Sequence, residues 1–159
     1  MTTPSLAERV IALIAQRLAA VSVDVCGTTT PLKVFRSVRT LDPGDLPAAV
    51  IWDQGESVAD TSGSGSYASM MIALNLAIDG HVPADQATTG IAIETVKAAI
   101  KAAVLMPGGP LTDSSGAIGV LTYLGTDAAA REDGATSESV SVRVTATYKE
   151  AIGDPTRSR

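Results

Sequence analysis

Residues 139–150 read SVSVRVTATYKE and alternate apolar with polar side chains. The apolar set occupies the even positions: Val140, Val142, Val144, Ala146 and Tyr148. Successive side chains of a strand point to opposite faces of a sheet, so this stretch predicts a strand with one buried and one wet face. A second stretch with the same period, YASMMIALNLAIDG at residues 67–80, predicts a long strand with one fully apolar side.

Shorter stretches predict further strands. They are LKVFRSVRT at 32–40, AAVIW at 48–52 and IGVLTYLG at 118–125, with Val23–Val25 as a brief addition. The 32–40 stretch mixes charged and apolar side chains on both faces, which is typical of an exposed or interface strand. Its candidate interface residues are Lys33, Phe35, Arg36 and Arg39.

Two stretches predict amphipathic helices. Residues 5–21 repeat apolar side chains at helical spacing, and Ser5 with Glu8 matches a capping box. Residues 84–105 form the second, which the PGGP at 107–110 ends. The order α-β-β-β-α-β-β predicts an α+β fold: a mainly antiparallel sheet with both helices packed on one face and long hairpin loops.

Polar segments separate these elements. DQGESVADTSGSGS at 53–66 and TDAAAREDGATSE at 126–138 predict long flexible loops. We expect one domain over residues 1–153 and a flexible C-terminal tail at 154–159.

The charge distribution argues against ordinary nucleic-acid binding. The net charge is −5, and no Lys or Arg lies between Thr40 and Val96. One Phe, one Trp and three Tyr leave little for base stacking. The base-free stretch predicts an acidic loop surface that repels DNA or docks a basic partner, with these candidates: Asp42, Asp45, Asp53, Glu56 and Asp60.

Catalytic and metal-binding motifs are missing from the sequence. His81 is the single histidine, in a predicted loop, and Cys26 is the single cysteine, which excludes an intrachain disulfide. TSGSGS at 61–66 lacks the lysine and spacing of a phosphate-binding loop. We therefore predict no enzyme activity, no cofactor and no metal site.

No signal peptide or membrane span is predicted, which favours a protein made in the cytoplasm.

The chain resembles the tail terminator proteins of long-tailed bacteriophages, which include the minor tail protein U group. The resemblance follows the capped first helix, the strand before a Pro-Gly turn, YASMMIALNLAIDG, the second helix and the closing SVSVRVTATYKEAIGDP. It implies a homo-oligomeric ring, usually of six subunits, in the virion tail. Such a ring ends tail-tube polymerisation, joins the tube to the head-tail connector protein and lets DNA pass through its lumen.

Two other functions stay open from the residues. A head-tail connector or neck completion protein has similar small α+β subunits. A monomeric small-molecule or peptide-binding module would need a preformed apolar pocket.

Overall fold

The computed structural model describes residues 3–25, 27–63, 68–84, 89–105, 110–128 and 136–158. Within these ranges the chain forms two α-helices, nine strands and a 3₁₀ turn at Pro43–Asp45. The elements are α1 (Leu6–Ala19), β1 (Ser22–Val25), β2 (Thr28–Pro31), β3 (Lys33–Arg36), β4 (Ala48–Ser62), β5 (Ser69–Pro83), α2 (Thr89–Val104), β6 (Leu111–Asp113), β7 (Gly116–Ala128), β8 (Ser137–Ala151) and β9 (Asp154–Ser158).

The main sheet has the strand order β3-β4-β5-β8-β7-β6, and β9 lies alongside β8. Every pairing in it is antiparallel except that of β3 with β4, which is parallel. β5 and β8 are paired along their whole length, from Ser69↔Ala151 to Pro83↔Ser137. The predicted α+β class and the predicted order of its principal elements are confirmed, with β1–β2 as a separate ribbon.

Both helices pack on the face of the sheet that carries the even-numbered side chains of β5 and β8. This face and the inner stripes of α1 and α2 form one apolar cluster, whose largest fully buried members include Leu6, Ile14, Leu74, Leu76, Ile78, Ile100 and Tyr148. α2 packs tightly on the sheet above Gly80, where an added Cβ would lie 2.6 Å from Val96 Cγ1. We call this side the helix face and the other side the outer face.

The start of α1 follows the prediction. Ser5 is its N-cap, and the Ser5 hydroxyl accepts a hydrogen bond from the Glu8 N–H at 3.2 Å. The Arg9 guanidinium donates to Asp113 Oδ2 at 2.7 Å and to the Thr156 carbonyl at 3.3 Å. These contacts tie α1 to β6 and β9.

The loop predicted from residue 53 onward is wrong over residues 53–62, which continue β4. Pairing with β5 extends as far as Ser62↔Ser69 and supplies the hydrogen bonds that hold this segment as a strand. Its side chains are exposed on both faces, so no alternation of apolar and polar residues marks it. The register shifts twice, and Gly55 takes φ +97 at the first shift, a conformation that suits glycine. Residues 64–66 lie outside the described residues.

The tail predicted at 154–159 is replaced over Asp154–Ser158 by β9, which pairs with β8 and receives the Arg9 contact. The strand predicted at 32–40 ends at Arg36, because Ser37 adopts φ 52 and turns the chain. His81 lies within β5 and not in a loop.

Other predicted features fall partly or wholly outside the described residues. They are Cys26, residues 129–135 of the second polar loop and residues 107–109 of PGGP.

Candidate assembly surface

One edge of the sheet is formed by β4. β3 covers only the first four residues of β4, ending at Arg36↔Ile51. Among the described residues no strand pairs with the outer side of β4 from Trp52 to Ser62. A long strand edge with free backbone N–H and C=O groups is a template for pairing with another chain.

The opposite edge is formed by β7. β6 pairs only with Gly116–Gly119, so within the part of the chain that the structure describes the outer side of β7 has no strand partner over Val120–Ala128. Val120 and Leu124 on this segment are 56% and 55% exposed. The sheet therefore has two free edges, one on each flank.

Two of the predicted acidic residues lie on the helix-face side of the β4 edge. Asp53 and Glu56 stand opposite the buried Leu76 and Leu74 of β5, and residues directly opposite each other share a face. The Asp53 carboxylate accepts the Gly55 N–H at 2.8 Å and so caps the first bulge.

Glu56 accepts a hydrogen bond from the Tyr148 hydroxyl at 2.7 Å. Burial, followed by this contact with Glu56, raises the pKa of Tyr148 well above its ordinary value. Burial and then the negative charges of Glu56 and Asp154 raise the pKa of Glu150. The far end of the β4–β5 hairpin thus concentrates negative charge on its helix-face side.

The remaining predicted acidic residues lie elsewhere. Asp60 stands opposite Met71 on the outer face. Asp42 precedes the 3₁₀ turn, and Asp45 within it pairs with Lys33, whose Nζ lies 3.0 Å from Asp45 Oδ1. The structure therefore separates the five acidic candidates and does not bring them onto one surface.

The predicted interface strand is partly occupied by contacts within the chain. Besides the Lys33 pair, Arg36 Nη1 lies 2.5 Å from Glu8 Oε1 of α1. Phe35 is half-buried opposite Val50, and Arg39 is exposed beyond the end of β3. Among the described residues Lys33 and Arg36 are held in ion pairs, whereas no ion pair holds the exposed Arg39.

A basic site lies above the β7 edge on the helix face. Lys101 Nζ of α2 is 4.6 Å from the centre of the Tyr123 ring, an arrangement typical of a cation–π contact. A hydrogen bond with the Thr126 hydroxyl and the charges of Lys101 and Lys97 lower the pKa of Tyr123. Lys97 also pairs with Glu94 on the same helix. The sequence predicted only an amphipathic helix over residues 84–105, because the proximity of these lysines to Tyr123 depends on the tertiary packing.

The outer face carries an open depression of about 470 Å³. Its lining residues are Trp52, Gln54, Ala77, Asp79, Ser139, Ser141 and Arg143. Arg143 pairs with Asp127 of β7 at 2.8 Å, and the buried Trp52 Nε1 has no hydrogen-bond partner among the described residues. Sequence reasoning missed this surface, because it forms only when β4, β5 and β8 are side by side.

His81 borders this region without forming a catalytic set. Burial lowers its pKa, and the Asp79 charge partly offsets that effect. In the described ranges no side-chain hydrogen bond joins His81 to Asp79 or to Ser139, the residue opposite it on β8. The same ranges hold no group of His, Cys, Asp and Glu that fits a metal ion.

Comparisons with known proteins give the fold a counterpart. No protein-family model and no curated protein matches this chain. A chain in a solved structure described as the virion of a native gene transfer agent particle is 21% identical, with a TM-score of 0.50. The alignment covers 91% of this chain and 97% of that chain. At this identity the likeness establishes a shared fold.

No helix in the described residues is long and apolar enough to cross a membrane.

Proposed function

We propose that this chain is a structural subunit of a phage-like virion. The observation that carries the proposal is the fold shared with a chain of a gene transfer agent virion, over 97% of that chain. Neither chain leaves a large part unmatched, so the likeness does not come from one local motif. The two free sheet edges support a role in which subunits contact one another.

We propose further that the subunit forms a ring, six copies in number, that caps the tail tube and joins it to the head-tail connector. The resemblance to tail terminator proteins supports this finer assignment. In it the partners are other copies of the chain, the tail tube protein and the connector protein. DNA passes through the ring without sequence-specific contacts, which fits a net charge of −5. Assembly takes place in the host cytoplasm.

Only some of the acidic candidates can line one wall of the lumen. Asp53 and Glu56 lie on the helix-face side of β4 and Asp60 on the outer face, so a lumen wall on one face cannot contain all three. An acidic wall stays a prediction. Its test compares DNA ejection from particles carrying Asp60→Lys with that from particles carrying Asp53→Lys and Glu56→Lys.

Removing the gene from the producing cell tests the ring proposal. We expect tubes of uncontrolled length without attached heads, and the intact gene in trans should restore normal particles. Electron microscopy of particles that carry a labelled subunit should find the label where tube meets head. Label confined to the portal side, with tubes of normal length, would identify a connector instead. Normal particles without the chain would refute a virion role.

A further inference from the structure

The C-terminal strand β9 covers the end of β8. It lies on the side of β8 that β7 leaves open beyond the pair Val120↔Thr147. β5 fills the other side of β8 at this level, where Met70 stands opposite Glu150. β9 therefore completes the pairing of β8 at Glu150 and Ala151, and its departure would open that strand position.

β9 is a lightly held strand. Within the described residues it pairs with β8 at two positions, with a register shift between them: Glu150↔Ser158 and Ala151↔Asp154. Its sequence, DPTRS, contains no large apolar side chain to bury, and Pro155 has no N–H to donate. The Thr156 N–H and hydroxyl both donate to Asp154 Oδ1 within the strand, at 3.2 and 2.6 Å. A segment with little apolar burial opens at a low free energy, so β9 can detach without unfolding the domain.

A hinge for this movement lies at Gly153. Its φ is +82, and nothing lies within 4 Å of the position that a Cβ would take. The residue before it, Ile152, donates its N–H to the Ala68 carbonyl at 3.1 Å. Rotation at Gly153 can therefore move β9 while Ile152 keeps its place.

Negative charges from three strands converge at the end of β8. Glu150 of β8 lies near Glu56 of β4 and Asp154 of β9, and Asp53 precedes Glu56 on the same face of β4. Burial and then the charges of Glu56 and Asp154 raise the pKa of Glu150. Tyr148 supplies no positive charge, since its neutral hydroxyl donates to Glu56 at 2.7 Å.

The cations in this region do not neutralise Glu150. Arg9 of α1 donates to Asp113 Oδ2 of β6 at 2.7 Å and to the backbone of β9 at 3.3 Å. Lys149 points to the outer face, because successive residues of a strand alternate, and Arg157 is exposed. Among the described residues no ion pair includes Glu150.

We propose that β9 is a pH-sensitive strap, which stays on β8 while Glu150 is protonated and detaches at Gly153 once Glu150 is ionised. The neutral carboxyl group does not repel Asp154, whereas the carboxylate does, and moving β9 away separates the two charges. Attachment is therefore strongest below the raised pKa of Glu150 and weakens as the pH rises through it. The strap operates within one chain, so it goes beyond the proposed function and does not depend on ring formation.

Amide hydrogen exchange measures the detachment. The full chain is compared at each pH with a free peptide of residues 152–159, which corrects for the pH dependence of the chemical exchange step. We expect the protection of the β9 amides to fall by about 1.5- to 5-fold between about pH 4.5 and about pH 7.5, the factor for one pair of opposed like charges. Protection that does not change with pH would overturn the proposal.

Three variants identify the group that titrates. In Glu150→Gln the protection of β9 should stay at its low-pH level throughout. Asp154→Asn removes a charge but keeps an oxygen acceptor for Thr156, so it should also weaken the pH response. Glu138→Gln makes the same chemical change at the other end of β8, opposite Val82, and should leave the response of β9 intact. A pH response that persists in full in Glu150→Gln would assign it to another group and refute the strap.

The central strands provide the internal reference. Amides of β5 and of the middle of β8 report opening of the whole domain, because these strands are paired on both sides. We expect their protection to change less with pH than that of β9. If β9 loses protection only in parallel with these amides, the transition is global and the strap is refuted.

Discussion

The close approach of α2 to β5 at Gly80 makes the substitution Gly80→Ala a sensitive test of the fold. An alanine Cβ would lie 2.6 Å from Val96 Cγ1 and 2.7 Å from Ile100 Cδ1. Favourable carbon–carbon contact requires about 3.5–4.0 Å, so α2 and the sheet must separate by close to 1 Å or the side chains must rotate. Ile100 presents the end of a longer side chain, but the branched Val96 has little rotational freedom.

We expect Gly80→Ala to lower the free energy of unfolding by about 1–3 kcal/mol, the usual cost of overpacking a core. In a domain of this size each kcal/mol corresponds to about 2–4 °C in Tm. Urea unfolding followed by circular dichroism measures the change, and an unchanged m-value would show that the denatured state is not the cause.

Two variants sharpen the test. Gly90→Ala makes the same chemical change on α2, where nothing lies within 4 Å, and should raise stability by up to about 1 kcal/mol. Val96→Ala removes the methyl groups that the new Cβ meets. Combined with Gly80→Ala, it should cost less than the sum of the two single changes by about 0.5–3 kcal/mol. Strict additivity, or an unperturbed Gly80→Ala protein, would refute this reading of the packing.

Three further changes probe the ends of the elements. Glu150→Gln should raise stability at pH 7 by about 0.2–1 kcal/mol, because burial disfavours the charged carboxylate and Glu56 and Asp154 repel it. The pKa of Glu150 in the folded protein is raised from its ordinary 4.5, so the contribution of Glu150 to stability should fall as the pH rises through that raised pKa. Below pH 4.5 both proteins carry a neutral side chain at residue 150, and urea titrations should then show no stability difference between them. Tyr148→Phe should cost about 1 kcal/mol by removing the bond to the exposed Glu56, and equal stability of the two proteins in thermal melts would argue against that bond. Ser5→Ala should lower the free energy of unfolding by about 1 kcal/mol through loss of the N-cap. A matched Ser5→Asp variant keeps an acceptor for the Glu8 N–H and should keep most of the stability that Ser5 provides.

The sequence predicts the elements whose side chains are sorted by burial. β5 and β8 occupy the middle of the sheet with one face under the helices, so their apolar residues recur with period two. α1 carries both a cap and an apolar stripe for the same reason. In these elements the local pattern and the tertiary environment agree.

The elements that the sequence did not predict lie at the margins of the sheet. Residues 53–62 of β4 are exposed on both faces, and their strand conformation depends on the backbone pairing with β5. β9 pairs with β8 and also accepts a hydrogen bond from Arg9 at the Thr156 carbonyl, a contact between residues far apart in the chain. Asp53 and Tyr123 lie level with each other across the sheet, through Leu76 and Val144; this placement follows from the register of three pairings, and no local pattern encodes it.

The short strands β3 and β6 cover the two sheet edges at opposite ends. β3 fills the outer side of β4 beside Ala49–Ile51, which lie in the same rows as Thr126–Ala128 of β7. β6 fills the outer side of β7 as far as Gly119, beyond the row that Val120 shares with Ser57. Two copies in the same orientation therefore cannot join these edges at equal height, because each short strand already fills the place that the other copy's edge would take. The two short strands protect the sheet against continuous edge-to-edge growth.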